Sequence, residues 1–213
     1  MLRPTGTSGT ETERYEPPAA GLQRPDISIL SDEFLEEVRD LLHRNLAVEL
    51  LQRLLNDEVK SRATKNVVQS RSFAERLDES IRRYQSWSIA TAQIMAELIE
   101  LAKEMRDAQK RGKALGLSDD EVAFYDALEV NDSAVKVLGD EALRTIAREL
   151  VEAVKRNVSI GWTVRENARA QIRVIVKRVP RKFGYPPDKQ EKATQTVLEQ
   201  AEVLCQNWSG AAA

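Results

Sequence analysis

Apolar residues recur every three or four positions along most of this chain, and nowhere do they alternate for long enough to suggest a strand. After Ile27, Ile29 and Leu30, Ser31 is placed to cap a helix. Asp32 and Glu33 suit its positive end, and Leu35, Val38, Leu41 and Leu42 form its inner side. Asn45 opens a second helix with Leu46, Leu50, Leu54 and Val59 facing inward and Leu51 and Leu55 widening that face. The longest pattern begins after Ser70 or Ser72, within an informative stretch from Asn66 to Ala108. It carries Phe73, Leu77, Ile81, Tyr84, Trp87, Ala92, Met95, Leu98, Ala102 and Met105. Read as one helix of about 40 residues, it extends about 60 Å and crosses several partners, with Ser86, Ser88 and Thr91 as mild weak points. Lys110, Arg111 and Lys113 precede Gly116, a credible stop.

Ser118 and Glu121 form a capping box ahead of Val122, Phe124, Tyr125 and Leu128. Asn131, Asp132 and Gly139 punctuate the next connection. A helix over 140–158 follows, with Leu143, Ile146, Leu150, Val151 and Val154 inside. Thr163 and Glu166 open another, burying Ala168, Ile172, Ile175, Val176 and Val179, with Pro180 ending or kinking it. Gly184, Pro186 and Pro187 force a turn, and Asp188 starts a last helix with Ala193, Val197, Ala201 and Leu204 inward. The expected fold is all-α: a bundle of about seven helices including one long one. Proline, glycine and threonine mark 1–25 as a flexible lead-in. Residues 26–206 then form the helical domain and 207–213 a flexible tail.

Composition agrees with the pattern. Aromatics make up only 5% of the 213 residues, and Ala, Leu, Glu, Lys, Arg and Gln dominate. With 34 acidic and 32 basic residues, no global charge draws the chain to nucleic acid or an anionic membrane. Cys205 is the only cysteine, as suits a reducing compartment. There is no apolar run of membrane-spanning length and no secretory h-region, so the expected location is cytoplasmic.

Few residues suggest chemistry. His43 is the only histidine and has no paired ligand or triad partner; its expected place is the end of the first helix, where an imidazolium suits the dipole. Cys205 reads as a small buried hydrophobe. Runs such as Asp119-Asp120-Glu121 serve helix starts, and no phosphate-binding glycine loop occurs. No catalytic, cofactor or metal residue is therefore assigned. The strongest charge signal is Arg165, Arg169, Arg173, Lys177 and Arg181, spaced by four, with Arg178 and Lys182 beside them. Such a ridge meets DNA phosphates or an acidic partner; alternatively it is a solvated face paired with acids on neighbouring helices. Most aromatics read as core. Any exposed subset makes partner anchors, with Tyr185, Trp162 and Trp87 the candidates and Tyr185, held before two prolines, the foremost.

An ordered series of words carries a family resemblance: ILSDEFLEEVRDL near Ile29, NLAVELLQRLLNDE from Asn45, QSRSFAERLDESIRRYQ from Gln69 and LSDDEVAFYDAL from Leu117. IARELVEAVKRNV from Ile146, GWTVRENARAQIRVIVKR from Gly161 and GYPPDKQEKA from Gly184 continue it. Over these residues the chain resembles the helical C-terminal domain of the R (restriction) subunit of type I restriction-modification enzymes. In that family the subunit joins a nuclease and two ATP-driven motor domains to this helical region. The resemblance implies that the region docks the subunit onto the modification (methyltransferase) and specificity subunits. ATP and magnesium are implied only for the parent enzyme, an ATP-dependent type I site-specific deoxyribonuclease. None of the nuclease or motor motifs can be placed on this chain, so it is expected to be non-catalytic.

Three readings follow. The leading one is a non-catalytic assembly domain without small-molecule substrate or membrane. The second is a DNA-phosphate-contacting helical module, its contact weak or indirect. The third is a split or decayed gene fragment, suggested by Pro180 at an expected aliphatic position and by the unfamiliar ends.

Overall fold

The computed structural model describes residues 31–40, 43–157, 166–185 and 190–211. Among them it has eight helices and no strand: α1 (Asp32–Arg39), α2 (Arg44–Ala63), α3 (Val67–Gln85), α4 (Thr91–Leu115), α5 (Asp119–Glu129), α6 (Asp132–Asn157), α7 (Glu166–Lys182) and α8 (Gln190–Ala211). At α1 and α5 the sequence signals act as read, whereas α2 starts at Arg44, ahead of the expected Asn45 cap and with no side-chain cap, and Thr163 and Asp188 lie outside the described residues. Ser31 Oγ accepts from the Phe34 amide at 3.2 Å. Ser118 and Glu121 form the reciprocal capping box, whose Ser118 N–H donates to Glu121 Oε2 at 2.7 Å. Two apolar cores result. One joins α1 to α4 through Leu35, Leu51, Leu77, Leu98 and Met105; the other joins α5 to α8 through Phe124, Leu143, Ile146, Ile172 and Val197. Each such side chain contributes on the order of 1.5–3 kcal/mol by leaving water.

The expected 40-residue helix is two helices. The chain turns back at 86–90, so α3 and α4 pack as neighbours in one core. The reversal is closed by a Schellman pair: Ser88 N–H donates to Arg83 O at 2.9 Å and Trp87 N–H to Tyr84 O at 3.0 Å. Trp87 holds the left-handed position at φ +58°, the only non-glycine residue with positive φ in the description. The same pair of bonds closes α4 at Gly116 and α7 at Gly184, and both of these are glycines with positive φ. Periodicity does not distinguish a straight helix from two helices joined by a five-residue reversal, because the apolar phase is nearly kept across it. Pro180 lies inside α7, which ends two residues later; Pro180 O receives the Tyr185 amide at 3.1 Å. Gly139, at φ +73°, divides α6 into two helical stretches, so the residues from Asp132, expected as a connection, are already helical.

Two further expectations are corrected. Leu46 is 60% exposed and Leu50 is also exposed; α2 instead buries Ala47, Val48, Leu51, Leu55, Glu58 and Arg62. Apolar residues surround the first turns of α2, so composition left its phase ambiguous. The buried Glu58–Arg62 pair extends the stripe that faces α3 and α4. The segment expected to be a flexible tail from 207 continues α8 as far as Ala211. Trp208 Nε1 donates to Asp120 Oδ2 at 3.1 Å, and the Lys155 ammonium lies 4.8 Å from the Trp208 ring centre. Residues 1–30, including the expected lead-in, lie outside the described residues.

The two cores meet along a polar seam. The Asp126 carboxylate, 4% exposed, accepts from Asn66 Nδ2 and Gln69 Nε2 at 2.7 Å each and from Arg111 Nη1 at 2.9 Å. Asn66 also caps α3, its Oδ1 accepting from the Gln69 amide at 3.0 Å. Arg62 donates to Glu58 Oε1 at 2.8 Å, Gln69 Oε1 at 3.2 Å and Met105 O at 2.5 Å. From α8, fully buried Gln200 accepts from Val67 N at 2.9 Å and donates to Lys65 O at 2.7 Å. Burial pushes the Asp126 carboxyl above its ordinary range, and the three donors oppose that shift. Asn66→Ala removes a helix cap and strands part of a buried acceptor. It is expected to cost about 2–3 kcal/mol, against about 1 kcal/mol for Ser118→Ala at an exposed cap, as read from urea unfolding midpoints.

Candidate interaction surfaces

The end of the bundle furthest along α3 from the seam carries the most exposed aromatic. Trp87 is 92% exposed. The start of α2 reaches the same end, because Tyr84 Oη donates to Asn45 Oδ1 at 3.1 Å. Exposed Leu46 and Leu50 follow on α2, so this end presents a tryptophan and two leucines to solvent. Packing does not explain Trp87, which buries almost nothing while holding a backbone conformation that costs an L-residue about 1–2 kcal/mol.

Tyr185, the foremost anchor expected from sequence, is not on the surface. It is 5% exposed, and its hydroxyl donates to Leu128 O at 2.8 Å, tying the end of α7 to the end of α5. The closure of α7, in which Pro180 O receives the Tyr185 amide, leaves its ring inward. Trp162 and Arg165 lie outside the described residues. Arg169 lies on the first turn of α7, and its side chain is outside the description.

The rest of the basic ridge lies among the described residues. Arg173, Lys177, Arg178, Arg181 and Lys182 are exposed, while Ile172, Ile175, Val176 and Val179 are buried on the opposite side of α7. Lys182 pairs with Glu149 at 2.6 Å and lies 5.2 Å from the Phe183 ring centre. The other four have no carboxylate partner among the described residues, so the pairing expected for a solvated face occurs only at Lys182.

Two grooves remain. One, of about 310 Å³, runs between α3 and α4 and is lined by Arg76, Ser80, Arg83 and Glu97. Both of its arginines are paired: Arg83 donates to Glu97 at 2.7 Å and Arg76 Nη2 to Glu104 at 2.8 Å. The other, of about 330 Å³, opens over the seam beside Phe73, Arg111, Asp126 and Glu129. Arg111 is held there by Asp126 and by Glu129 at 2.7 Å and lies 5.4 Å from the Tyr125 ring centre. No group of three or more His, Cys, Asp or Glu able to hold a metal ion occurs among the described residues. Cys205 is buried, with its thiol pushed up to about 12 by burial and the nearby Glu202 charge, and so is a poor nucleophile. His43 is exposed and stands directly before α2 rather than at the end of α1, without capping it through its side chain. No helix among the described residues is long and apolar enough to cross a membrane.

Comparison with known proteins gives the family. Residues 17–207 match the model of the type I restriction enzyme HindI endonuclease subunit-like C-terminal region, and the chain belongs to that family. It is 37% identical over 187 residues to the type I restriction enzyme HindI endonuclease subunit of Haemophilus influenzae, covering 88% of this chain and 18% of that protein. It is 34% identical over 163 residues to a chain provisionally described as the type I restriction enzyme MjaIXP endonuclease subunit of Methanocaldococcus jannaschii, covering 76% of this chain and 16% of the other. The chain thus spans less than a fifth of the length of these curated relatives. No solved structure matches it significantly.

Two measurements check these placements. Tyr185→Phe is expected to lower stability by about 1 kcal/mol, the value of one buried hydrogen bond, and to leave surface interactions unchanged. Tyr125 Oη and the Arg144 guanidinium both donate to Asp140, holding its carboxyl below the usual carboxylate range. A depressed carboxyl stabilises the fold above its unfolded pKa, and this contribution is lost as pH falls through the folded pKa. Tyr125→Phe is therefore expected to cost up to about 1 kcal/mol near neutrality, since Asp140 is half-exposed, with the deficit shrinking in acid below the carboxylate range. Unfolding midpoints across pH 2–7 read both.

Proposed function

We propose that this chain is the non-catalytic assembly region of a type I restriction endonuclease subunit, docking that subunit onto its modification and specificity partners. Trp87 is the observation that carries the reading. Closing the α3–α4 turn needs a left-handed residue, and glycine fills that role at both other closures of the same kind. A tryptophan there sacrifices backbone comfort and projects its indole fully into solvent, with Leu46 and Leu50 at the same end of the bundle. Strain retained without a packing return points to function. Tryptophan is also the residue most enriched among the few that dominate protein–protein binding energy. Membership in an endonuclease-subunit family, with a match covering only 18% of a relative, supports a region that serves a larger assembly. ATP, magnesium and DNA cleavage belong in this reading to the parent enzyme, and no residue of this chain is assigned to them.

Trp87→Gly separates docking from folding. The substitution relieves the left-handed backbone and is expected to raise unfolding stability by about 1 kcal/mol. Retention by the purified modification–specificity complex is expected to fall at least tenfold, the loss of a hot-spot side chain. Undiminished retention by that complex removes the docking role from this end of the bundle.

A further inference from the structure

The exposed face of α7 is left unused by the docking reading, and it does not depend on that reading. Four cations, Arg173, Lys177, Arg178 and Arg181, lie within nine residues of one helix. None has a carboxylate partner among the described residues, although the chain as a whole carries more acids than bases. Elsewhere the arginines facing other helices are matched: Arg71 with Glu199 at 2.6 Å, Arg83 with Glu97 at 2.7 Å and Arg106 with Asp32 at 3.0 Å. Single exposed cations without a carboxylate partner among the described residues occur elsewhere, Arg53, Arg82 and Lys113 among them, so what sets α7 apart is the concentration of four on one helix face. Its only acid, Glu166, lies in the first turn, beyond the described cations.

We propose that this face of α7 binds the phosphate backbone of duplex nucleic acid without regard to sequence. Arg173, Lys177 and Arg181 lie about 6 Å apart along the axis at 1.5 Å rise per residue, a linear row about 12 Å long. Arg178 widens the row on one side. Guanidinium groups suit phosphate because their planar forks donate two parallel hydrogen bonds. A protein partner is the weaker match. No aromatic residue lies on α7, and Val174 is its only large apolar side chain that is exposed. Protein interfaces instead draw their energy from buried aromatic and apolar anchors. The rigid, buried inner side of α7 fixes the row in place, so little conformational entropy is lost when a phosphate backbone meets it.

The test is fluorescence anisotropy of a labelled mixed-sequence duplex titrated with the full chain between 50 and 200 mM salt. Neutralising about four phosphates gives a slope of log affinity against log salt of about −3 to −4, so binding is expected to weaken roughly a hundredfold over that range. The triple variant Arg173→Glu, Arg178→Glu, Arg181→Glu is expected to bind at least tenfold more weakly at 50 mM salt. The charge-conserving triple to Lys is expected to stay within about threefold of the parent, with thermal unfolding of both variants monitored to show that the helix persists. If charge reversal unfolds the chain, the salt slope of the parent and the Lys variant decide the matter alone. Salt-insensitive binding, no measurable binding at 50 mM salt, or unchanged affinity in the folded reversal variant overturns the proposal. So does displacement of the duplex by polyglutamate at equal charge concentration, which assigns the face to an acidic protein.

Discussion

The Asp126 carboxylate is the point on which the two halves of the molecule depend. It is buried where α5 meets the start of α3, and it is tolerable there only because an amide from Asn66, an amide from Gln69 and a guanidinium from Arg111 converge on it. Two of those donors come from the start of α3 and one from α4, so satisfying one buried charge on α5 fixes the relative placement of α3, α4 and α5. Apolar contact is non-directional and sets no register of this kind. Arg62 repeats the device one layer inward, linking α2 to the α4 backbone, and Gln200 repeats it from α8. The seam is thus a set of directional bonds between two greasy cores, which by themselves specify little about how one sits on the other.

This division of labour frees the outer ends. The α3–α4 turn at Trp87 and the outer face of α7 carry no packing duty. Trp87 and the α7 cations occupy these two places. The two surfaces differ in the physics that each would use. An apolar anchor acts at contact and is indifferent to salt; a cation row acts at longer range and is screened. The proposed docking role and the proposed phosphate contact thus draw on separate surfaces of one region.

Aromatic residues illustrate how position in the fold overrules residue type. Tyr185, followed in sequence by two prolines, has the features of an exposed anchor, yet its hydroxyl is committed to Leu128 O in the interior. Trp87 sits on a helical apolar repeat and has the features of a core residue, yet it is nearly all in solvent. Trp208, in a stretch with no recognisable pattern, packs beneath Lys155 and bonds Asp120. Each inversion has the same origin: a turn or helix end re-aims a side chain by a rotation that hydrophobic spacing does not encode.

Local physics was legible in the sequence. The all-α class, the Ser31 and Ser118 caps, the Gly116 stop, the break at Gly139 and the inner faces of α5 to α8 follow from propensity, capping chemistry and a 3.6-residue period, all short-range properties. The row of cations on one side of α7 was legible for the same reason, since a helix turns spacing into a face. Tertiary structure alone decided what depends on partners distant in sequence. It folded the expected long helix into a hairpin, because two cores side by side bury more surface than one rod. It chose the phase of α2 by burying Glu58 and Arg62 together. It also decided which of the α7 cations would find an acid and which would not. Asp126 lies 60 residues from Asn66 and 15 from Arg111 in the chain. No local pattern marks it as the residue that joins the halves, since a buried charge is defined by the donors that the fold brings to it.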